Sequence, residues 1–448
     1  MWWCMFKRVL IANRGEIALR ISRALRTLGC DVAIIHGRED RLSLPVRFSD
    51  IAVANYATNP LDSYLDFEKV IAAAKEIGAE AIHPGYGFLA ENATFARRCE
   101  EEGITFIGPS SNVISLLGDK IEARRIMEEA GLPVAKGSSK PIASVAEASA
   151  LAEEIGYPVI IKAAAGGGGI GMQIVQEVNE FESALNICQS RAHSAFGDER
   201  VFVEKYIEGA QHIEFQVLAD GNEAIHFGER FCSIQRRHQK LLEEGPWLTD
   251  EVRDEIGAYV CAGAKSVGYK GLATFEFLRD AHGKFYFLEV NPRVQVEHTV
   301  TEMITGHDLV SLGIRVAAGE PLPLKQEDIT ITGHAIQCRI NAEDPVKFVP
   351  SPGKLWDCHF PTGFGVRVDT HAHVGYEMPG CFDSLLAKIV VWGRTREEAI
   401  ASMKTALAET VLVGVKSVIP LHRKILEEPD YLARKVTISY LEEHPELI

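Results

Sequence analysis

The feature that most constrains this fold is a run of four glycines, at positions 166–169, between two short apolar segments. Residues 159–162 and 172–175 have the composition of strands, and Lys162 ends the first of them. A dinucleotide-binding loop would be followed by a helix, so the formal GxGxxG match over 166–171 is weak. Glycines let backbone N–H groups close on phosphate oxygens without side chains in the way. The pattern therefore predicts a β-hairpin flap over a phosphate-bearing ligand, in preference to a flexible linker.

The N-terminal part of the chain alternates short apolar segments with segments of helical spacing. Strands are predicted at 7–12, 31–35, 81–83 and 105–107, and helices at 14–28, 70–77 and 95–102. This alternation predicts a doubly wound parallel sheet. The dinucleotide fingerprint is missing after the first strand, where Asn13, Arg14 and Gly15 stand.

A length of 448 residues suggests roughly three domains. A predicted helix over 119–130 leads to the compact unit around the glycine run, and a large mixed region of strands and helices follows. We predict an N-terminal Rossmann-like domain over 1–118, a linking helix over 119–136, a flap domain over 137–205 and a mixed α+β domain over 206–448. The fold class is therefore α/β in its first part and α+β in the remainder.

A second hairpin is predicted from residues 272–278 and 285–290, which are rich in aromatic and β-branched residues. If residue 279 pairs with 284, Glu276 and Glu289 lie diagonally on one face, about 7–8 Å apart, whereas a slip of one residue separates them. Two carboxylates among aromatic side chains are costly to bury unless a cation joins them. Oxygen ligands of this kind suit Mg²⁺, which also keeps phosphate and water ligands.

The chain after this hairpin alternates polar with apolar residues. A period of two puts the polar side chains on one side, and Pro292 predicts an edge or irregular segment. Five such groups exceed what the solubility of an exposed edge requires, so we interpret them as a site. They are Glu289, Asn291, Arg293, Gln295 and Glu297. Residues 299–302 then have the pattern of a capping box that opens a helix.

The chain carries 47 basic and 62 acidic side chains, so its formal charge is −15. Such a chain is a poor general binder of nucleic acid or of an anionic membrane. Basic residues nevertheless concentrate at 229–240, where glutamines are interleaved with them. A solvated basic face is the common explanation for such a run, and the interleaving favours a local anion site. The basic residues are Arg230, Arg236, Arg237, His238 and Lys240.

Nine cysteines without a CxxC motif predict free thiols in a reducing compartment. Cys232 and Cys338 lie beside predicted site residues, and we expect them to be structural. We expect the same of His83 and Tyr86. No apolar run approaches the roughly 18 residues of a membrane span, and the apolar start lacks the features of a signal peptide. The sequence therefore predicts a cytoplasmic protein without nucleic-acid or membrane partners.

Ten motifs, in order along nearly the whole chain, resemble those of the biotin carboxylase family within the ATP-grasp superfamily. The most specific are QRRHQK at 235–240, RVQVEHTVTE at 293–302 and RINAEDP at 339–345. The resemblance implies an ATP-grasp flap and a ligase that carboxylates biotin with ATP and bicarbonate, through carboxyphosphate, releasing ADP and phosphate. This is the first half-reaction of a biotin-dependent carboxylase.

The resemblance also implies roles for residues of this sequence. Glu297 would be the base for bicarbonate, and Arg339 would stabilise the enolate-like biotin oxygen. The bicarbonate itself would be held by Lys240, Arg293, Gln295 and the Val296 backbone. Glu276 and Glu289, with Asn291 nearby, would hold two Mg²⁺ or Mn²⁺ ions. ATP would be bound by Lys120, Lys162, Gly167, Gly168, Gly169, Glu204, Lys205, Ile207, His212, Gln235, His238, Glu276 and Glu289.

The resemblance further implies a homodimer, through a face that includes Arg20, Phe364 and Arg367. The sequence has no lysine flanked by methionines, so we expect biotin to arrive on a separate carrier protein and the carboxyltransferase to be another chain. Ile170 stands where family members usually carry arginine, and residues 37–44 also depart from the family pattern. Two alternatives stay open: an ATP-grasp ligase acting on a different carboxylate, and a nucleotide-binding regulatory subunit. The final carboxyl acceptor is not specified by the sequence.

Overall fold

The computed structural model of the protein describes residues 5–166, 171–237 and 239–448. Its N-terminal part alternates strands and helices, as the apolar pattern predicts. The strands are β1 (Arg8–Ile11), β2 (Asp31–His36), β3 (Ile51–Ala54), β4 (Ala81–His83) and β5 (Thr105–Phe106). The helices are α1 (Gly15–Thr27), α2 (Leu44–Arg47), α3 (Asp62–Leu65), α4 (Phe67–Glu76) and α5 (Ala93–Glu101).

These strands form a parallel sheet in the order β3-β2-β1-β4-β5. Apolar side chains of this sheet pack on both of its faces. Successive side chains of β1 point to opposite sides. Val9 and Ile11 belong to the core that contains the apolar side of α1, whereas Leu10 belongs to the core that contains α4 and α5. The predicted doubly wound parallel sheet is therefore confirmed.

Two helices, α6 (Ser111–Gly118) and α7 (Lys120–Glu129), lead to the flap. The flap contains α8 (Val145–Ile155), β6 (Val159–Ala163), β7 (Met172–Val175), α9 (Phe181–Phe196) and β8 (Val201–Lys205). Its strands form an antiparallel sheet in the order β7-β6-β8. Lys162 pairs with Met172 across the hairpin, so the predicted strand–loop–strand arrangement is present. The predicted phosphate-binding residues Gly167, Gly168 and Gly169, and also Ile170, lie outside the described residues.

The rest of the chain is built on a mixed α+β framework. It comprises β9 (Gln211–Asp220), β10 (Ala224–Arg236), β11 (Gln239–Gly245), α10 (Asp250–Ser266), β12 (Lys270–Arg279), β13 (Phe285–Asn291), α11 (His298–Thr305), α12 (Leu309–Ala317), β14 (His334–Asn341), β15 (Gly353–Lys354), β16 (Asp357–His359), β17 (Val366–Thr370), β18 (Glu377–Met378), β19 (Leu385–Gly393), α13 (Arg396–Glu409), β20 (Val411–Val413), α14 (Ile419–Ile425), α15 (Pro429–Leu432) and α16 (Tyr440–Glu443).

The large sheet of this region is antiparallel, in the order β13-β12-β9-β10-β11-β14-β19-β17. Its strands alternate apolar and polar side chains, which gives the sheet an apolar face and a polar face. In β9, Ile213, Phe215 and Val217 belong to the largest hydrophobic core, together with apolar residues of α10 and α13. The polar side chains between them are buried on the opposite face, which carries the site described below.

Strands β12 and β13 form the predicted acidic hairpin, but in a different register. Arg279 pairs with Phe285 instead of residue 284, and Glu276 pairs directly with Glu289. The ladder is irregular between Glu276 and Phe277, where Leu288 is the extra residue of a bulge. The predicted diagonal placement of the two carboxylates is therefore wrong: the two residues lie directly opposite each other.

The predicted capping box at residues 299–302 is also wrong. Helix α11 begins at His298, and its N-cap residue is Glu297. The Glu302 carboxylate instead accepts hydrogen bonds from Arg20 and Arg367, and Thr299 donates to Gln337. The Glu302 side chain thus forms long-range ion pairs and does not cap the start of α11.

None of the helices in the described parts of the chain is long and apolar enough to cross a membrane.

Candidate active site

A cavity of about 1020 Å³ lies between the flap and the polar face of the large sheet. This volume is sufficient for a nucleotide-sized ligand. Every predicted ATP-binding residue that the structure describes lines it: Lys120, Lys162, Glu204, Lys205, Ile207, His212, Gln235, Glu276 and Glu289. His238 lies outside the described residues.

The apolar wall of the cavity was not predicted from the sequence. Ile160 and Met172 of the flap hairpin and Leu278 of β12 contribute to it. Leu288 also lines the cavity, and this is the residue displaced by the β13 bulge. A bulge re-aims a side chain in this way, so the irregular register supplies apolar surface next to the acidic pair.

Two lysines at the flap end of the cavity are paired with carboxylates. Lys120 donates to Glu289, and Lys162 donates to Glu204. Burial alone would lower the pKa of Lys120, but the Glu289 carboxylate raises it above its ordinary value. Lys120 is therefore cationic and suited to phosphate oxygens.

Lys240 stands at the centre of the polar face. Its ammonium donates to Glu276 and Glu297, at 2.8 Å each, and also to Glu214. Burial alone would lower the pKa of Lys240, but the three carboxylates raise it well above its ordinary value. The result is a permanently charged, almost completely buried cation at the cavity wall.

Among the described basic residues of the cluster at 229–240, Arg237 and Lys240 line the cavity, whereas Arg230 and Arg236 do not. Arg230 is fully buried and donates to Glu214 at 2.6 Å, and the Arg236 guanidinium lies 3.8 Å from the centre of the Phe348 ring. Gln235 and Lys240 are direct cross-strand partners and therefore share the cavity face. The anion-site hypothesis thus applies to the cavity side of β10 and β11 and not to the whole cluster.

The predicted polar row converges on Glu276. Its Oε1 accepts from Asn291 Nδ2 at 3.0 Å and from Gln295 Nε2 at 3.1 Å. Arg293 donates to Asn291 Oδ1 and Gln295 Oε1, at 3.0 and 2.8 Å. Strand β13 ends at Asn291, so the rest of the row lies in the irregular segment that Pro292 predicts.

Glu297, the last residue of the row, is completely buried between two cations. Its Oε1 accepts from Lys240 at 2.8 Å, and its Oε2 accepts from Arg339 at 2.9 Å. Burial would raise the pKa of Glu297, but Lys240, Arg339 and Arg230 lower it well below its ordinary value. The carboxylate is therefore ionised at neutral pH.

The acidic pair has the character of a site for a small hard cation. Glu276 and Glu289 are opposite each other on neighbouring strands, and both line the cavity. Glu276 pairs with Lys240, and Glu289 pairs with Lys120. Carboxylate oxygens that need a positive partner fit Mg²⁺ or Mn²⁺, and the Asn291 amide adjoins them.

Two buried carboxylates that sequence analysis missed pair with the cations of the site. Glu214 and Glu243 are completely buried, and they hold Lys240 and Arg339 respectively. Arg230 in turn neutralises Glu214. For Glu214 a signal existed, because polar residues alternate with apolar ones along β9 and put Glu214 on the same face as His212.

Of the four residues expected to be structural, Cys232, Cys338 and His83 are buried and Tyr86 is half-buried. Cys232 and Cys338 are completely buried, and burial raises the pKa of both thiols well above the ordinary value. His83 Nδ1 accepts from the Gly85 N–H at 3.0 Å, and burial lowers its pKa to about 3. Tyr86 donates to Glu16 and also lines the cavity, so a purely structural role for it stays a prediction.

The predicted dimer face combines an ion-pair cluster with an exposed aromatic ring. Arg20 and Arg367 both pair with Glu302, and the Phe364 side chain is 92% exposed in the single chain.

Three family models match successive parts of the chain. The biotin carboxylase N-terminal domain matches residues 5–114, and the biotin carboxylase C-terminal domain matches residues 337–443. Between them, the ATP-binding domain of the carbamoyl-phosphate synthase L chain matches residues 119–325.

Curated proteins and solved structures are similar over the same length. Biotin carboxylase of Haemophilus influenzae is 49% identical over 443 residues, which cover 98% of each chain. Biotin carboxylase 1 of Bacillus subtilis is 50% identical over 444 residues, again covering 98% of each chain. The biotin carboxylase domain dimer of Hydrogenobacter thermophilus 2-oxoglutarate carboxylase, solved with MgADP, ADP and bicarbonate, has a TM-score of 0.95 and 49% identity, covering 99% of this chain and 98% of the other. The predicted resemblance is confirmed, and this chain belongs to the biotin carboxylase family.

Proposed function

We propose that this protein carboxylates biotin carried by another protein, using ATP and bicarbonate and releasing ADP and phosphate. The observation that carries this proposal is the convergence of Lys240 and Arg339, which line the same cavity as Glu276 and Glu289, on the buried Glu297 carboxylate. An acyl-phosphate ligase for another carboxylate would need the flap and the acidic pair but not this group of three. The bicarbonate and MgADP named for the Hydrogenobacter structure also support the proposal.

The first step joins two anions, bicarbonate and the γ-phosphate of ATP. Lys240 and Arg293 offset their repulsion, and Arg293 can hold a planar carbonate group with two N–H donors. Glu297 takes the bicarbonate proton while the bicarbonate oxygen attacks the γ-phosphorus, and the bond to the ADP oxygen breaks. Lys120 and Lys162 stabilise the charge on the phosphate oxygens.

The second step uses the carboxyphosphate formed in this way. It breaks into CO2 and phosphate, and the phosphate takes the N1 proton of biotin. N1 then attacks CO2, while Arg339 stabilises the negative charge on the ureido oxygen. The flap excludes water from the carboxyphosphate and limits its hydrolysis.

The metal-binding residues of this proposal are Glu276 and Glu289, with Asn291 beside them. When bound there, Mg²⁺ neutralises oxygens of the nucleotide phosphates. The remaining predicted ATP contacts are assigned to Glu204, Lys205, Ile207, His212, Gln235, His238 and the glycines at 167–169.

The domain division at 1–118, 119–136, 137–205 and 206–448 is part of this proposal. It is supported by the flap core, which contains residues from Ile142 to Val203. We also propose a homodimer through the face of Arg20, Phe364 and Arg367, a biotin carrier and a carboxyltransferase on other chains, and a cytoplasmic location. The free thiols of the cysteines in the described residues support the location.

The test is phosphate release from MgATP, with and without bicarbonate and with and without free biotin. We expect release that requires bicarbonate, and carboxybiotin labelled from ¹⁴C-bicarbonate. Phosphate release that does not depend on bicarbonate but increases with another carboxylate would instead indicate a different ATP-grasp ligase. Nucleotide binding without turnover by any acceptor would indicate a regulatory subunit.

A further inference from the structure

Lys388, in the middle of β19, is a completely buried cation to which the proposed mechanism gives no role. Its direct cross-strand neighbours are Arg339 on β14 and Asp369 on β17. Like charges directly opposite each other destabilise a sheet, and a buried ammonium also carries a desolvation cost. An apolar side chain would avoid both costs but would leave the buried carboxylates of Glu16 and Asp369 without this cation, so the contacts of the ammonium decide what Lys388 does.

The Lys388 ammonium contacts the backbone of the predicted bicarbonate site. It donates to the Val296 carbonyl oxygen at 3.0 Å, and it lies 3.1 Å from Glu16 Oε2 and 3.9 Å from Asp369 Oδ2. The Val296 carbonyl belongs to the peptide that leads into Glu297. Lys388 therefore fixes the backbone from which the proposed base projects.

The preceding peptide is anchored independently. The Gln295 carbonyl accepts a hydrogen bond from His298 Nδ1 at 2.7 Å, and this peptide carries the Val296 N–H. Both peptides around Val296 are thus held by completely buried side chains, although the segment lies outside any strand or helix. An irregular segment without such anchors would not keep two functional groups in a fixed relation.

Glu16 connects this anchor to the N-terminal sheet. One of its oxygens faces Lys388, and the other accepts from Tyr86, which lines the cavity. Because Glu16 lies in the first turn of α1, the ammonium is held between the N-terminal part of the chain and the large sheet.

We propose that Lys388 is a positioning residue for bicarbonate: it holds the Val296–Glu297 peptide so that the Val296 N–H and the Glu297 carboxylate converge on the same bound anion. Lys388 acts through the Val296 backbone and does not touch the substrate itself. This inference rests on the proposed function, because it assumes that bicarbonate binds beside Val296.

The test compares Lys388→Met and Lys388→Gln with Lys388→Arg in the full chain. Methionine cannot donate a hydrogen bond, and glutamine is about one bond too short to reach the Val296 carbonyl. For both we expect a raised KM for bicarbonate and a loss of about 100-fold in kcat/KM for bicarbonate-dependent phosphate release, since a misplacement near 1 Å costs that much. Lys388→Arg, which keeps the charge and the donor, should recover at least a tenth of the wild-type value. The dissociation constant of a non-hydrolysable ATP analogue should change less than twofold.

Arg396→Met is the matched control. Arg396 is also a buried cation in the C-terminal region, but it pairs with Glu244 and contacts backbone carbonyls of α15. We expect the Arg396→Met substitution to lower thermal stability and to leave the KM for bicarbonate within twofold of wild type. If Arg396→Met raised the KM for bicarbonate as much as Lys388→Met does, loss of any buried cation would be sufficient to raise it. That result would overturn the proposal.

Thermal unfolding checks that each variant is folded. If Lys388→Met does not fold, the KM for bicarbonate of Lys388→Gln tests the proposal. A folded variant of either kind with an unchanged KM for bicarbonate overturns the role of Lys388 and leaves the proposed function intact. If wild-type protein releases phosphate without any dependence on bicarbonate, the proposed function fails, and this is visible before any variant is made.

Discussion

At the scale of single residues, the site shows how neighbours decide the state of a carboxylate. Glu297 and Glu243 are both completely buried, yet Glu297 lies between Lys240 and Arg339 and its pKa is lowered well below the ordinary value. Burial raises the pKa of Glu243 despite its contact with Arg339. A position between two cations therefore decides that the pKa of a completely buried carboxylate falls and does not rise.

Glu297→Gln should lower bicarbonate-dependent phosphate release about 10²- to 10⁴-fold, because the amide keeps the shape of the side chain but cannot accept the proton. Binding of a non-hydrolysable ATP analogue, measured by calorimetry, should be unchanged. Glu251→Gln, an exposed substitution in the first turn of α10, is the control and should retain wild-type activity. A Glu297→Gln enzyme with near-normal turnover would contradict the assignment of the base.

At the scale of elements, the acidic hairpin depends on one irregular pair of strands. The bulge at Leu288 puts Glu276 and Glu289 opposite each other and turns an apolar side chain into the cavity. Without the bulge, the register of the pairs from Phe277 to Arg279 would put Leu288 opposite Glu276, and the Glu289 side chain would point to the other face of the sheet. The bulge thus determines the geometry available to a metal ion.

Glu289→Gln should raise the Mg²⁺ concentration that gives half-maximal phosphate release by about tenfold or more, because one carboxylate ligand is lost. At saturating Mg²⁺ the KM for bicarbonate should stay near wild type, since Glu289 does not contact the Lys240 group. Glu443→Gln removes an exposed charge of α16 and should leave the Mg²⁺ requirement unchanged. An unaltered Mg²⁺ titration of Glu289→Gln would argue against this metal site.

One buried carboxylate, that of Glu244, connects β11, β14 and α13. Glu244 accepts from His334 at 2.7 Å and from Arg396 at 2.6 and 3.0 Å. Burial would raise its pKa, but these hydrogen bonds lower it from 4.5 to about 2. Because the folded-state pKa is depressed, the stabilisation is complete above pH 4.5 and is lost as the pH falls toward 2, by about 1.4 kcal/mol per pH unit.

Glu244→Gln should therefore lower the free energy of unfolding by about 3 kcal/mol at pH 7, and the difference from wild type should shrink by more than half at pH 3. Urea unfolding at the two pH values measures this. Glu154→Gln, on the exposed side of α8, should show little difference at either pH. A Glu244→Gln difference that stays constant between pH 7 and pH 3 would show that the lost stability is not linked to protonation of Glu244.

At the scale of the whole molecule, an ion-pair cluster joins distant parts of the chain beside the proposed dimer face. Glu302 of α11 accepts from Arg20 of α1 and from Arg367 of β17. Arg367 also pairs with Asp369, which adjoins Lys388. The N-terminal sheet and the large sheet are thus connected by buried charges at the face that carries Phe364.

Phe364→Asp should convert a dimer to monomers in sedimentation velocity at micromolar concentration, because it replaces the exposed aromatic ring of the proposed face with a charge. Trp356→Asp is the matched control, since Trp356 is an aromatic residue that is 67% exposed elsewhere in the C-terminal region. It should leave the sedimentation coefficient unchanged. A monomeric wild-type protein, or a dimer that tolerates Phe364→Asp, would contradict the proposed face.

The features that depend on local pattern were predictable from the amino-acid sequence. Alternation of strands and helices predicted the parallel sheet, and the glycine run between two strands predicted the hairpin flap. The polar row from Glu289 to Glu297 was recognisable because side chains alternate along an extended chain. The family motifs then predicted a set of ATP-binding residues, and those that the structure describes line one cavity.

Only the tertiary structure decided the pairing of groups that are distant in the sequence. The counter-charges Glu214 and Glu243, the bulge at Leu288 and the anchoring of Val296 by Lys388 all depend on which strands are neighbours. Local propensity carries little information on such pairing, because a shift of one residue reverses every side chain of a strand. Buried charges also compete for partners across the whole fold, which is why Glu302 joins two distant arginines and not its own helix start.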